Sequence, residues 1–188
     1  MVRWRKLVEE LVKSPKSVVR RCAIPKNTIG PPILVIFTDG SFTAFGAVIY
    51  VVYEVEVSEA GPRAEDLGQK KHFAPSLLLL KARVAPLAGI TTPRSEMNGV
   101  VLGIKLVELS LRSMAELPSR VIFGLDSECT IVAVDSENSI LKAYLDDRRA
   151  TLLNAIRNSR ERYQSVEIED FQHLAGPLNL ADLATRSL

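Results

Sequence analysis

The sequence predicts an α/β fold in which a mixed five-stranded sheet carries helices on both faces. Three segments with strand character come first, and no helical pattern separates them, so we expect them to pair as antiparallel hairpins. Strand and helix patterns then alternate along the rest of the chain, which favours a parallel section covered by helices. Hydrophobic residues make up 47% of the 188 positions, which is enough apolar material for one core.

Residues 1–32 are predicted to be an appendage to a single domain over residues 33–188. Residues 2–13 have helical spacing of apolar side chains, and residues 22–32 are rich in Pro and Gly, as linkers are. Residues 1–27 carry eight Lys and Arg against two Glu, a net charge of +6, so with +2 for the whole chain the remainder carries −4. A basic arm of this kind favours contact with a polyanion, although a solvated amphipathic helix explains it equally well.

The first half of the domain is predicted to contain three strands. Residues 33–37 are a continuous apolar run, typical of a strand buried on both faces, and residues 38–41 read as the turn that ends it. Residues 44–55 are rich in Val, Ile and Tyr, and residues 77–84 form the third strand. The polar residues 56–72 are predicted to be an exposed loop.

The second half is predicted to alternate between helices and strands. The elements in order are a helix opened by Pro93 and running to about residue 115, a strand over 121–125, one or two helices over 138–163, a strand over 166–171 and a short helix from Asn179. Ser127 is placed to cap a helix that follows the fourth strand. The predicted order is therefore β-β-β-α-β-α-α-β-α.

Composition excludes several classes of protein. The chain has two cysteines and two histidines without metal-site spacing, which argues against zinc and fits a reducing compartment. The charged residues near the N-terminus do not resemble a signal peptide, and no apolar run approaches the roughly 20 residues that a membrane span needs. We therefore expect an intracellular soluble protein with no membrane partner.

Four carboxylates stand where strands end and helices begin. Asp39 and Asp126 follow the first and fourth strands, while Glu96 and Asp182 are assigned to the first turns of two helices. Ligand crevices of open α/β sheets lie beyond the carboxyl ends of such strands, and four acids gathered there would repel one another unless they bound a hard cation. Magnesium is the natural choice, and two ions about 3.5–4 Å apart suit phosphodiester hydrolysis. A single acid at any one of these positions is common in proteins, so the prediction of a metal site depends on all four acids together.

Short motifs around these acids resemble those of ribonuclease H domains. Residues 38–41 (TDGS), 93–97 (PRSEM), 125–127 (LDS) and 179–182 (NLAD) are similar, in order and approximate spacing, to the TDGS, R-x-E-L, TDS and N-x-A-D motifs of that group. The surrounding residues resemble the ribonuclease H of BEL/Pao-type LTR retrotransposons more closely. Residues 80–96 are similar to its "KSRVAPL…PRLEL", and residues 173–186 to its "HVPGxxNPADLxxR". The resemblance covers about residues 33–188.

The resemblance implies a ribonuclease H-like fold and a chemistry. It implies a two-metal-ion endonuclease that cuts the RNA strand of RNA–DNA hybrids, with Asp39, Glu96, Asp126 and Asp182 as catalytic metal ligands for two Mg²⁺ ions that Mn²⁺ can replace. It also implies a reverse transcriptase domain N-terminal in the parent polyprotein, with residues 1–32 as the remnant of the connection. The expected location is the cytoplasm, within a retroelement particle, or the nucleus.

Five further residues are candidates for substrate contact or proton transfer. The resemblance implies that Gly40 and Ser41 contact the RNA strand, whose 2′-OH distinguishes it from DNA. Arg94 and Asn98 flank Glu96 and are candidate nucleic-acid-binding residues, or simple helix surface. His173 precedes Asp182 by nine residues, close to the interval of a catalytic histidine in many cellular ribonucleases H, but a structural histidine at a strand end is the favoured interpretation.

Three other functions stay open from the sequence. A catalytically silent ribonuclease H-like scaffold is disfavoured because all four acids are present. A strand-transfer enzyme of integrase type is disfavoured because it expects its Glu on a late helix, and Glu96 falls second in order. A nucleic-acid-binding domain that uses the basic arm without chemistry is separated from the nuclease by one cleavage assay.

Overall fold

The structure is a computed structural model that describes residues 24–56, 71–86, 89–135 and 143–185. The helix predicted over residues 2–13 lies outside the described residues, as does most of the loop predicted over residues 56–72. Residues 24–32 contain no helix, and Thr28 forms an isolated antiparallel bridge with Val55.

The order of the elements agrees with the prediction. They are β1 (Ile33–Gly40), β2 (Ala44–Val55), β3 (His72–Val84), α1 (Thr92–Ser113), β4 (Arg120–Leu125), α2 (Glu128–Asp135), α3 (Ala143–Arg162), β5 (Glu167–His173) and α4 (Asp182–Thr185), with a 3-10 turn at Gly176–Leu178. None of the helices in the described part is both long and apolar enough to span a membrane.

The five strands form one mixed sheet in the order β3-β2-β1-β4-β5. β2 pairs antiparallel with both β1 and β3, whereas β4 pairs parallel with both β1 and β5. The hairpin section and the parallel section therefore meet at β1, which confirms the predicted mixed sheet. Ligands of such sheets bind outside the carboxyl ends of the parallel strands.

Helices cover both faces of the sheet. On one face α1 approaches so closely that a Cβ atom at Gly103 would lie 2.8 Å from the Thr38 side chain and 3.8 Å from Ala47. On the opposite face α4 lies over Gly46, where a Cβ would be 3.4 Å from the Thr185 methyl group. Because residues 46 and 47 are neighbours in a strand, their side-chain positions point to opposite faces.

The core fixes the two strands that carry the aspartates. Leu34 and Ile36 of β1 and Phe123 of β4 have no exposed surface. Burial of such side chains contributes about 1.5–3 kcal/mol each. The carboxyl ends of β1 and β4 are therefore held in register from the interior, with Phe37 opposite Gly124 at the last registered pair.

Some predicted boundaries were wrong. β1 continues to Gly40, because its pairing with β2 extends that far, so Asp39 lies within the strand and not in a turn after it. β3 starts at His72, inside the predicted loop, because it pairs with the full length of β2. Glu96 lies just beyond the first turn of α1, which contains no acid, and α4 begins at Asp182, after Asn179.

Candidate active site

Three of the four predicted acids come together at one end of the sheet. Asp39 is the second-last residue of β1, and Asp126 directly follows the parallel neighbour β4. Asp182 is the first residue of α4, which contacts β1, β2 and β3. The charges of Asp126 and Asp182 both act on the Asp39 carboxyl group, so the three side chains share one electrostatic environment.

Glu96 reaches the same end of the sheet because two glycines allow α1 to approach β1. A Cβ atom at Gly40 would collide with the backbone of Ser95 and Glu96. A Cβ at Gly99 would lie 2.6 Å from the carbonyl oxygen of Asp39. Helix and strand therefore pack backbone against backbone at this point, which places Glu96 beside the end of β1.

Neutral hydroxyl groups hold the Glu96 side chain. Ser127 Oγ donates to Glu96 Oε2 at 2.6 Å, and Thr130 Oγ1 donates to the same oxygen at 2.9 Å. Ser127 also accepts a bond from the Thr130 backbone N–H at 3.3 Å, as the prediction of a helix-capping serine requires. Since Ser127 follows Asp126 directly, these bonds connect Glu96 to the end of β4.

A buried asparagine holds Asp126. Asn179 is 3% exposed, and its Nδ2 donates to Asp126 Oδ1 at 2.9 Å and to the Thr38 carbonyl at 3.0 Å. Its Oδ1 accepts the Ala181 N–H at 3.1 Å. One amide therefore joins β1, the end of β4 and the turn before α4. Sequence reasoning gave Asn179 no role beyond its place in a motif.

Burial raises the pKa of Asp39 above its ordinary value of 3.8. Two hydrogen bonds lower this pKa: the one that Thr185 Oγ1 donates to Asp39 Oδ2, and a weaker effect from the Gly40 backbone N–H. The negative charge of Asp126 and, to a smaller extent, that of Asp182 raise the pKa further. The net direction is upward, so the folded protein carries this negative charge at a cost. An acid crevice of this kind is one where a cation would be favourable.

The Asp39→Asn variant is expected to be more stable than wild type in chelator at pH 7. Because the pKa is higher in the folded state, stability starts to fall as pH rises above the ordinary value of 3.8, and the loss is complete once pH exceeds the folded pKa. The amide removes this cost, and about 1 kcal/mol corresponds to roughly 2–4 °C in melting temperature at this chain length. Melting curves at pH 7 and below pH 3.8 test the idea, since the gain should vanish at low pH. An equal gain at both pH values would contradict it.

The acidic side chains are not positioned in the structure to coordinate one metal ion together. Within the described ranges, no three His, Cys, Asp or Glu side chains lie close enough to share one metal ion. The Asp39, Asp126 and Glu96 carboxylates are each hydrogen-bonded to a neutral donor. The donor chemistry nevertheless fits a hard cation, since carboxylate oxygens are its preferred ligands and the charges of Asp126 and Asp182 both raise the pKa of Asp39.

Gly40 and Ser41 are engaged within the protein. Gly40 is buried against α1. Ser41 Oγ donates to the Thr185 carbonyl at 3.0 Å and accepts the N–H groups of Thr43 and Ala44 at 3.2 and 3.1 Å. Both residues therefore shape the β1–β2 turn, and a contact between either of them and RNA stays a prediction.

Arg94 and Asn98 belong to a basic cluster that also includes Tyr144. The Tyr144 hydroxyl donates to Asn98 Oδ1 at 3.0 Å, and the guanidinium groups of Arg94 and Arg148 lie 4.8 and 5.3 Å from the centre of its ring. Cations at such distances are attracted to the ring face. The neighbouring groove of about 330 Å³ is lined by Phe45, Arg83, Val84, Pro86, Asn98, Val101, Leu102, Lys105, Tyr144 and Arg148. Among the described residues, its lining includes the basic side chains of Arg83, Lys105 and Arg148 and no acidic one.

His173 ends β5, as the sequence predicted. Its side chain is 46% exposed, and its Nε2 lies 4.0 Å from the mostly exposed Glu128 Oε1. The histidine is bonded to none of the four acids in the hydrogen bonds of the described residues. Its part in catalysis stays a prediction, with the structural role favoured.

Solved structures identify the class of fold. The N-terminal RNase H domain of Rv2228c from Mycobacterium tuberculosis, solved as a fusion with maltose-binding protein, is 13% identical, with a TM-score of 0.55 over 82% of this chain and 91% of that chain. LC11-RNase H1 in complex with an RNA/DNA hybrid is 17% identical (TM-score 0.49, 80% and 91% covered), and RNase H1 from the halophilic archaeon Halobacterium salinarum is 10% identical (TM-score 0.47, 82% and 93% covered). The strand order and the likeness to the mycobacterial domain define a ribonuclease H-like fold.

The family follows from the sequence. Residues 1–127 match the family model described as "Pao retrotransposon-like RNaseH-like domain". The chain therefore belongs to this family, which confirms the resemblance to BEL/Pao elements. The match contains Asp39, Glu96 and Asp126 and ends before Asp182. No curated protein sequence matches the chain significantly.

Proposed function

We propose that this domain is a metal-dependent endonuclease that hydrolyses the RNA strand of RNA–DNA hybrids during reverse transcription. The observation that carries the proposal is the convergence of Asp39, Asp126 and Asp182 on one electrostatic environment at the carboxyl ends of two parallel strands. Burial of the Asp39 carboxyl group, together with the charges of Asp126 and Asp182, makes its negative charge unfavourable, and a bound cation would relieve this.

Asp39, Glu96, Asp126 and Asp182 are the residues that would hold the metal. Bound Mg²⁺ or Mn²⁺ would supply an activated water and stabilise the leaving oxygen of the phosphodiester. The protein's own contribution is to fix the ligands, through the hydroxyl groups on Glu96 and the Asn179 amide on Asp126. Partners of this kind set the orientation of metal ligands.

The basic cluster around Tyr144 supports a nucleic-acid substrate. Arg94 lies on α1, the helix that carries Glu96, and its guanidinium is 4.8 Å from the centre of the Tyr144 ring, which holds one positive charge in this cluster. Arg148, whose guanidinium is 5.3 Å from the centre of the same ring, adds a second positive charge. Such charges would contact phosphates and position the duplex without reading its sequence. Residues 1–32 would connect this domain to a reverse transcriptase domain that precedes it in the polyprotein.

We expect cleavage of the labelled RNA strand of an RNA–DNA hybrid in Mg²⁺ or Mn²⁺ and none in EDTA. The reason is that the site offers four carboxylates and needs no serine, cysteine or histidine nucleophile. Gel analysis of end-labelled hybrid, with single-stranded RNA and duplex DNA as controls, measures this. Robust cleavage in EDTA would sink the metal mechanism.

A catalytically silent scaffold is the second candidate. The observation in its favour is that the carboxylates face neutral donors and form no metal cage in the described residues. This candidate predicts hybrid binding without cleavage and no Mn²⁺ binding in calorimetry. Binding of Mn²⁺ together with cleavage would exclude it.

A further inference from the structure

We propose that Thr185 is a positioning residue that holds Asp39 against the start of α4 in the orientation a metal site needs. The inference rests on the proposed metal site. Thr185 Oγ1 donates to Asp39 Oδ2 across 146 positions of sequence, and it also lies 3.3 Å from the carbonyl oxygen of Asp182 in its own helix. One hydroxyl therefore joins two of the four acidic residues.

The β1–β2 turn holds the backbone of Thr185 as well. Its carbonyl accepts hydrogen bonds from Ser41 Oγ at 3.0 Å and from Thr43 Oγ1 at 3.5 Å. The residue is 2% exposed, and its methyl group lies where a Cβ at Gly46 would be only 3.4 Å away. Thr185 is therefore fixed by its carbonyl, its methyl group and its burial, so the direction of its hydroxyl is determined by the fold.

The hydrogen bond from Thr185 fixes the orientation of the Asp39 carboxylate and still leaves acceptor sites that a cation could use. An ionised carboxylate has two oxygens and about four lone-pair sites, and the Thr185 hydroxyl takes one of them. The Thr185 hydroxyl on Oδ2 sets the rotation of the group, the Gly40 backbone N–H takes a second site, and about two sites are left for a metal. Loss of such second partners typically weakens metal affinity about 10–100-fold.

The experiment compares Mn²⁺ affinity in the full chain and in three variants. Thr185→Val keeps the shape and removes the donor, and Thr185→Ser keeps the donor. Thr151→Val is the matched control, since within the described part of the chain the Thr151 hydroxyl bonds the Asp147 carbonyl of its own helix and nothing else. Calorimetry should show about 10–100-fold weaker binding for Thr185→Val. Thr151→Val should bind as tightly as wild type, and Thr185→Ser, which keeps the donor but loses the packed methyl group, should bind more tightly than Thr185→Val.

The outcomes separate this inference from the proposed function. If wild type binds no Mn²⁺, the metal site itself is wrong. If wild type binds and Thr185→Val binds equally well, only the positioning role is overturned. A purely structural threonine would lower the melting temperature in EDTA and leave the affinity of the folded protein unchanged. Thr185→Ala replaces the valine variant should that one not fold, and if neither folds, Thr185 is structural and the proposal fails.

Discussion

The Asp126→Asn variant is expected to lose hybrid cleavage by more than about 100-fold while it stays folded. Asp126 Oδ1 accepts a hydrogen bond from Asn179, and an amide oxygen accepts that bond equally well, so the turn after β4 should survive. What the amide lacks is the negative charge that a hard cation requires. Since loss of a residue that merely supports a ligand costs about 10–100-fold, loss of the ligand itself should cost more.

Single-turnover cleavage of labelled hybrid in Mg²⁺ measures the effect, with circular dichroism and a melting curve as the test of folding. Asp135→Asn is the matched control, because Asp135 is exposed at the end of α2 and should tolerate the change. Near-full activity of Asp126→Asn would show that the proposed site is wrong. Inactivity caused by unfolding would make Asp126 a structural turn residue instead.

The fold could be predicted because its signals are local. The continuous apolar run that starts at Ile33 and the Val-rich segment from Ala44 to Val55 identify buried strands by composition alone. The ends of strands are different, because pairing decides them. β1 continues through Asp39 since Asp39 pairs with Gly46, and β3 starts at His72 since that residue pairs with Val55.

The positions of the four acids could be predicted from the sequence, whereas the side-chain contacts around the site could not. Asp126 is visible in sequence because it ends a buried strand. Thr185 meets Asp39 only because α4 folds back across β1 and β2, and Tyr144 meets Asn98 only because α3 packs on α1. Neither contact leaves a periodicity or a spacing in the chain, so pattern reading contains no signal for them.

Gly40 belongs to a motif that the sequence identifies, but its packing in the structure suggests a second role for the glycine. The family resemblance implies that its backbone contacts the RNA strand, which stays a prediction, and the structure shows Gly40 buried against the backbone of Ser95 and Glu96. A glycine at this position therefore sets the distance between β1 and α1. That distance in turn determines how near Glu96 lies to Asp39, so a change here should affect both stability and catalysis.

We expect Gly40→Ala to destabilise the domain by at least about 2 kcal/mol. Replacing a glycine in a strand gains about 0.5–1 kcal/mol from reduced backbone freedom in the unfolded chain. The added methyl group would collide with the α1 backbone, which cannot rotate away as a side chain can, and overpacking of this kind costs about 3 kcal/mol. The collision outweighs the gain, and the melting temperature should fall by about 4–8 °C.

The folded fraction of Gly40→Ala should also cleave hybrid about 100-fold more slowly, because relief of the collision moves α1 outward and carries Glu96 away from Asp39. A displacement of about 1 Å in a catalytic group can cost that much. Gly176→Ala is the matched control for stability alone, since a Cβ there would lie 3.6 Å from Asp126 Oδ2, an ordinary contact, and the free energy of unfolding should stay near wild type. Chemical denaturation and single-turnover kinetics on the same samples measure the two effects. A stable Gly40→Ala variant with normal cleavage would show that the close approach of α1 to β1 does not set the geometry of the site.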